Sequence, residues 1–259
     1  MKKFQLVSML LLIAVAFTNC KKDSTEGPQG VQGAQGPAGP LLTGTLEGYV
    51  SLWDQYGGRI LTSQAGDTVS LIGTNQKVYT DSTGLYKFPG LPTGVYSVAL
   101  GKPGFGNTMV QNIQLAGGGN TIANAKISQP STTVVPALLD SIGTLTGNIT
   151  VYTTLPSYAP QTRTFILYVG TTASVSANPA TYLEYYTNTV KSTSLKLPFV
   201  IPKTDLYDAG FVTGQTVYLA AYGIGATLTA SAYVDYSNQG RTIFTALSMP
   251  AATTSLIVP

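Results

Sequence analysis

Apolar and polar residues alternate in short runs from residue 44 to residue 130, and turn-forming residues separate the runs. In one run, Tyr96, Val98 and Leu100 alternate with small residues, which places the three larger side chains on one face of a β-strand. An Asp-Ser-Thr-Gly string at 81–84 marks a turn, because aspartate accepts backbone hydrogen bonds there and glycine tolerates a positive φ. About seven strands of this length and spacing predict an all-β sandwich.

The alternation resumes in about eight β-like runs within residues 131–259, which predict a second β-sandwich of the immunoglobulin or fibronectin type. The segment 217–222 is apolar at odd and even positions alike, which is the pattern of a central strand covered on both faces. Pro198 and Pro202 flank Phe-Val-Ile, and because proline donates no backbone hydrogen bond this segment is predicted to be an edge strand or a bulge. The folded part is therefore predicted to be two β-sandwich domains, at 44–130 and 131–259.

The N-terminus begins with two lysines and an apolar run from Leu6 to Phe17 that only Ser8 interrupts, which is the order of an export signal. About a dozen apolar residues are too few for a transmembrane helix, which needs ~20. The run leads into Phe-Thr-Asn-Cys, which resembles the lipobox of bacterial lipoproteins and implies cleavage after a signal peptide of residues 1–19. The resemblance also implies that Cys20 carries lipid, and two or more acyl chains there would anchor the mature chain stably.

Glycine recurs at every third position after this cysteine, at 27, 30, 33, 36 and 39. The repeat is collagen-like, since only glycine fits at the axis of a triple helix. Five triplets are few for a triple helix, so an extended Pro/Gly/Gln spacer is favoured over a trimer. Residues 20–43 are predicted to be a flexible, lipid-anchored stalk, which would reach on the order of 70 Å in the polyproline conformation.

The composition excludes several classes of function. The 259 residues include no histidine and one cysteine, which excludes a Ser-His-Asp triad, imidazole metal ligands and an internal disulfide. With Cys20 assigned to lipid, no thiol remains for catalysis. The net charge is only +3 and no basic patch stands out, so nucleic acid is not a predicted partner. No catalytic residue, metal or cofactor is predicted, apart from the covalent lipid on Cys20.

A specific string occurs within the first predicted sandwich. The segment 80–96 reads T-D-S-T-G-L-Y-K-F-P-G-L-P-T-G-V-Y, and together with G-Y-V-S-L-W-D-Q-Y-G-G at 48–58 it resembles the carboxypeptidase regulatory-like domain. The resemblance implies a transthyretin-like, seven-stranded Greek-key sandwich. It also implies no peptidase activity, because such domains accompany enzymes, receptors and surface proteins as spacers or interaction modules.

Aromatic side chains are the main candidates for ligand contact. Trp53 and Tyr56 fall in one turn, while Tyr182, Tyr185 and Tyr186 crowd another segment. Exposed rings offer flat amphipathic faces that suit both sugars and protein partners. Packing within the sheets is the favoured alternative for all five rings.

Asp205 and Asp208 form the best pair for acid–base chemistry built on carboxylates alone, although a solvated turn beside Gly210 is the favoured interpretation. The sequence as a whole predicts a non-enzymatic, membrane-anchored lipoprotein of a Gram-negative cell envelope that acts as a structural or protein-interaction module. The alternative is a glycan-binding surface lipoprotein for adhesion or nutrient capture. The predicted partners are the membrane, through the lipid, and other envelope proteins or glycans, with the outer-membrane-bound domains facing either the cell surface or the periplasm.

Overall fold

The computed structural model describes residues 33, 39, 41–142, 148–155, 161–191, 193–249 and 252–259. The predicted signal peptide, Cys20 and most of the predicted stalk lie outside the described residues. Residues Leu41–Pro259 form one compact unit, whose described residues contain seventeen β-strands and two short α-helices. Within that described part, no helix is long and apolar enough to cross a membrane.

The first sandwich contains eight strands, which are β1 (Thr43–Trp53), β2 (Thr68–Leu71), β3 (Lys77–Tyr79), β4 (Leu85–Pro92), β5 (Gly94–Gly101), β6 (Thr108–Leu115), β7 (Asn120–Ile122) and β8 (Ala125–Ser128). In one sheet, β1 pairs with β4 on one side in antiparallel fashion and with β7 and β8 on the other side in parallel fashion. The second sheet has the order β3-β2-β5-β6 and is antiparallel.

Alternation along β1 builds the core between these sheets. Leu46, Gly48, Val50 and Leu52 are buried, while the residues between them face outward. On the neighbouring strand β4, Tyr86 and Phe88 are among the largest fully buried side chains, and their rings meet edge to face with centroids 6.1 Å apart. The side chains of both sheets form one apolar cluster, which holds the sandwich together by burying apolar surface.

At the end of this sandwich, the alternating segment from Thr121 to Ile127 does not form one continuous strand. The strand is split into β7 and β8 around Asn124, whose side-chain Oδ1 accepts a hydrogen bond from the Tyr49 N–H at 2.9 Å. The side chain thus replaces a backbone carbonyl of the ladder. The two chains come very close here, because a Cβ on Gly48 would overlap the carbonyl of Ala123. The sandwich therefore has eight strands rather than about seven.

The second sandwich contains β9 (Leu139–Ile142), β10 (Ile149–Thr154), β11 (Arg163–Gly170), β12 (Glu184–Val190), β13 (Lys196–Ile201), β14 (Thr216–Ile224), β15 (Ala232–Asp235), β16 (Arg241–Phe244) and β17 (Ala252–Ile257), with the helices α1 (Lys203–Asp208) and α2 (Leu228–Ser231). Two antiparallel sheets, β13-β10-β9 and β12-β11-β14-β17, share a core, and β15 and β16 form a separate hairpin. The all-β fold with two sandwiches is confirmed.

The sheet β12-β11-β14-β17 is covered on both faces. All eight residues of β11 are buried. Phe165 and Leu167 face the core shared with the other sheet, whereas Ile166 and Tyr168 face a second apolar cluster that includes Tyr182. The prediction that 217–222 is a central strand covered on both faces is confirmed for β14. The edge position of β13 likewise confirms the reading of its prolines.

Two segments of the second sandwich form short helices. In α1, the turn predicted around Asp205 and Asp208 winds into helix because Leu206 is fully buried in the core. In α2, the Ser231 hydroxyl donates to the carbonyl of Gly225 at 3.0 Å, which folds the chain back before β15. Neither helix exceeds two turns, so hydrophobic periodicity could not reveal them.

Candidate functional site

A groove with a volume of about 690 Å³ lies where α2 and the β15–β16 hairpin approach the outer face of the first sandwich. The floor is the outer face of β1 and β8, and β6 and the hairpin rise beside it. This interdomain groove is lined on β1 and β8 by Tyr49, Ser51, Trp53 and Lys126, with Arg59 beside them, on β6 by Met109, Val110 and Gln111, and on the second sandwich by Tyr233, Val234 and Tyr236.

Strand β1 sets the floor of the groove. Tyr49, Ser51 and Trp53 occupy alternate positions and therefore share the face opposite to the core. Tyr49 is 50% exposed, whereas Trp53 is half-buried and its indole N–H donates to the Ser51 hydroxyl at 3.3 Å. The floor thus presents two aromatic rings on a rigid central strand, separated by about 13 Å at ~3.3 Å per residue.

Two cationic side chains lie at the Trp53 end of the floor. Lys126 of β8 places its ammonium 5.6 Å from the centroid of the Trp53 ring, within the range of a cation–π interaction. Arg59 follows the turn after β1, and its backbone bridges that of Trp53. Both side chains are exposed, so this end of the groove offers positive charge to a ligand.

The hairpin is fixed against β6 by the Gln111 side chain. Its amide oxygen accepts from the Tyr236 N–H at 2.9 Å, and its amide nitrogen donates to Asp235 at 3.5 Å. The Ser237 side chain above all, together with its N–H and Gln111, holds the pKa of Asp235 below its ordinary value. Burial raises the pKa of Tyr233, while Tyr236 remains 62% exposed beside the groove. The shape of the groove therefore depends on this contact between the sandwiches.

Of the predicted contact residues, Trp53 lies on the floor of the groove. Tyr56 lies in the turn that follows β1, where its N–H donates to the Asp54 carboxylate at 2.9 Å, and its side chain is not among those that line the groove. The turn is closed further by a bond from the Gly58 N–H to the same carboxylate at 2.7 Å. Sequence reasoning thus located one ring of the groove and a neighbour that shapes its end.

The predicted tyrosines of the second sandwich have a packing role. Tyr182 is only 4% exposed, its ring lies 4.8 Å from that of Tyr168, and its hydroxyl donates to the carbonyl of Thr242 at 2.8 Å. Tyr185 packs edge to face on Phe244 with centroids 4.9 Å apart. These rings cover the outer face of β11 and β14, which is the packing alternative that the sequence left open. Their predicted ligand contacts stay predictions.

Tyr186 lies at a separate cavity of about 480 Å³, lined by Glu184, Asp205 and Asp208 among others. The Tyr186 hydroxyl donates to Asp205 at 3.4 Å, and burial foremost, then the nearby carboxylates, raises the pKa of Tyr186. In the described residues, no group of three or more His, Cys, Asp or Glu side chains is placed to hold a metal ion. The cavity is acidic and its tyrosine is held as a neutral phenol.

Sequence reasoning missed most of the groove. Tyr49 could have been found, since the alternation of β1 puts it on the same face as Trp53. Gln111, Tyr233 and Tyr236 carried no such signal, because only the folding of the hairpin onto β6 brings them to the first sandwich.

Comparison with known proteins gives weak structural similarities. No curated protein matches the sequence. A candidate carbohydrate-binding protein from Bacteroides uniformis aligns over 83% of this chain and 100% of its own, with 14% identity and a TM-score of 0.32. A DUF3823 family protein from the same species aligns over 85% and 100%, with 12% identity and a TM-score of 0.30. A chain of a type II cohesin–X-dockerin complex from Acetivibrio cellulolyticus aligns over 35% and 60%, with 20% identity and a TM-score of 0.29.

The first sandwich gives a family match. The model of the carboxypeptidase regulatory-like domain matches residues 58–128, which begin after β1 and end with β8. The predicted resemblance of the segment 80–96 to this family is therefore confirmed. The match does not extend to β1 or to the second sandwich, so the interdomain groove lies only partly within it. Residues 58–128 are similar to a carboxypeptidase regulatory-like domain.

Proposed function

We propose that this chain is a non-enzymatic, membrane-anchored lipoprotein of a Gram-negative cell envelope that acts as an interaction module through its interdomain groove. Anchoring is supported by the sequence, in which an export signal leads directly to Cys20. A polar, glycine-rich stalk of about 24 residues would hold the sandwiches clear of the membrane. The match to a carboxypeptidase regulatory-like domain supports an accessory role rather than a catalytic one.

The groove is the observation that carries the interaction role. Its floor is a central strand of one sandwich, and the hairpin of the other sandwich stands beside it. A ligand that enters would touch both sandwiches at once. Concave sites with apolar and aromatic linings and a few polar groups are typical of ligand binding.

The non-enzymatic proposal rests on the chemistry that the chain offers. It has no histidine, and its one cysteine is assigned to lipid. Among the described side chains that line the groove there is no carboxylate, and none is a histidine or a cysteine. The remaining candidate, Asp205 with Asp208, lies at a separate cavity on α1 and β12.

A glycan is the second candidate ligand, and the exposed rings of the groove favour it. Tyr49 on the floor and Tyr236 on the hairpin are both half or more exposed, and Trp53 lies at the far end of the same face. Flat aromatic faces stack on the C–H surfaces of sugar rings, while polar groups nearby bond to hydroxyls. A protein partner would use the same rings as anchors.

Acylation and protease accessibility test the anchoring part of the proposal. Cells that express the full chain with an epitope after Pro259 are labelled with radioactive palmitate, with Cys20→Ala as the matched control. The proposal predicts a wild-type protein that is labelled and found in the membrane fraction, and a variant that carries no label. An unlabelled wild-type protein would contradict it.

Protease added to intact and to lysed cells then distinguishes the two orientations. Loss of the epitope in intact cells would mean display on the surface. Protection until lysis would place the sandwiches in the periplasm and favour an envelope protein as the partner.

A further inference from the structure

We propose that the interdomain groove binds an acidic oligosaccharide, whose rings stack on Tyr49 and Trp53 and whose carboxylates pair with Arg59 and Lys126. The inference rests on the binding role proposed above and specifies its ligand class. Charge complementarity within the groove carries it.

The charged groups of the groove have one sign. Among the described residues that line it, Arg59 and Lys126 are cationic and none is an aspartate or a glutamate. In the part of the chain that the structure describes, the ion pairs are Lys87 with Glu47 and Lys102 with Asp67. Arg59 and Lys126 thus keep their charge available to a ligand within a chain of low charge density.

The carboxylates of the adjoining turns accept hydrogen bonds from groups within the same turns. Asp54 accepts from the N–H groups of Tyr56 and Gly58 at 2.9 and 2.7 Å. Asp235 accepts from the N–H and the hydroxyl of Ser237 at 3.0 and 2.6 Å. Neither carboxylate neutralises the cationic end of the groove through an ion pair, which leaves a site for an incoming anion.

The aromatic and cationic groups of the groove together suit a sugar acid. The Lys126 ammonium lies 5.6 Å from the centroid of the Trp53 ring, so a sugar that stacks on the exposed part of this ring would hold its carboxylate near Lys126, with Arg59 lining the same end of the groove. Arginine binds carboxylates in a bidentate fashion, which fixes the orientation of the sugar. Tyr49, about 13 Å along the strand, would receive another ring of the same chain. The spacing therefore selects an oligosaccharide over a single sugar.

Titration calorimetry of the acylated full-length protein in detergent micelles tests the inference. The probes are oligogalacturonates, oligomannuronates and hyaluronan fragments, each with its carboxyl-reduced form, and a polyglutamate peptide of matched charge. At least one acidic sugar probe is expected to bind, to weaken with added salt and to lose roughly tenfold or more in affinity when its carboxyls are reduced.

Variants localise the binding. Trp53→Ala and Lys126→Gln are each expected to weaken binding of the acidic probe by roughly tenfold. The matched controls are Tyr79→Ala and Lys77→Gln, because on β3 the Lys77 ammonium lies 5.3 Å from the Tyr79 ring in a similar cation–π pair outside the groove. The controls should leave binding unchanged. Thermal melts confirm that each variant is folded.

Three results would overturn the inference in different ways. Equal binding of the carboxyl-reduced probe would remove the charge selectivity and leave a neutral glycan in the groove. Binding of polyglutamate as tight as that of the sugars would make an acidic peptide the occupant. Failure of every sugar probe would remove the glycan ligand altogether, while the acylation and protease experiments would still decide the envelope role.

Discussion

Replacing Gly84 by alanine should loosen the strand that forms the floor of the groove. Gly84 ends the Asp-Ser-Thr-Gly turn with a φ of +87°, and a Cβ there would overlap the carbonyl oxygen of Val50 on β1. The Val50 N–H also donates to the Gly84 carbonyl at 2.9 Å. The substitution therefore has two costs, the left-handed conformation and the displaced β1.

The size of the second cost follows from a matched glycine. Gly73 has a φ of +80°, and a Cβ there would meet nothing within 4 Å. In Gly73→Ala the free energy of unfolding should fall only by the cost of the left-handed conformation, about 1–2 kcal/mol. In Gly84→Ala the free energy of unfolding should fall by roughly 1–3 kcal/mol more, because β1 must move and its hydrogen bond to Gly84 weakens. For the compact unit Leu41–Pro259, that further loss lowers Tm by roughly 2–12 °C.

Trp53 supplies the assay, because it is the only tryptophan of the chain and lies three residues after Val50 on β1. Its fluorescence during urea denaturation reports on the first sandwich rather than on the second. We expect the midpoint of Gly84→Ala to lie clearly below that of Gly73→Ala. Equal midpoints would refute the close approach between the turn and β1.

Three further predictions concern buried hydroxyls and one carboxylate. Tyr86→Phe should lower the free energy of unfolding, measured by urea denaturation, by about 1–3 kcal/mol, because the Tyr86 hydroxyl donates to a buried carbonyl. Tyr96→Phe should lower it much less, because the hydrogen bond of the Tyr96 hydroxyl is exposed. Tyr168→Phe should have the opposite sign and raise Tm, since among the described residues its buried hydroxyl has no hydrogen-bond partner; a lower Tm would contradict this. The pKa of Asp235 is lower in the folded protein than in the unfolded one. The charged side chain therefore stabilises the fold at pH values above the unfolded-state pKa, and this stabilisation is lost as the pH falls through the folded-state pKa. Asp235→Asn should therefore lower Tm at pH 7 and change it little at pH 2, and an equal effect at both would count against the contribution of the charge.

The alternation of β1 and the turns of the first sandwich could be predicted from sequence because they depend on local chemistry. Leu46, Val50 and Leu52 face the core as their spacing requires. The break between β7 and β8 could not be predicted in the same way. It depends on the side chain of Asn124 reaching Tyr49 across 75 positions of sequence, and no local pattern encodes that bond.

The aromatic residues show the same limit at the site. Crowding of Tyr182 and Tyr185 fits both display to a ligand and packing on a sheet. In the structure the two tyrosines pack on the outward face of β11, because Ile166 and Tyr168 on that face must be covered. Trp53 was predicted in a turn and lies instead at the end of β1 on its outward face, and its groove exists only because a hairpin more than 170 residues further along the chain lies beside it.

The most direct test of the central claim, that the interdomain groove binds the ligand, is a titration followed by the fluorescence of Trp53. Because the only indole of the chain lies on the floor of the groove, a ligand stacked there must change its emission. We expect a saturable change with an acidic oligosaccharide that binds in calorimetry, and in Lys126→Gln a midpoint at a roughly tenfold higher concentration of that oligosaccharide. Saturation of binding without any change in emission would show that the ligand lies elsewhere and would contradict binding in the interdomain groove.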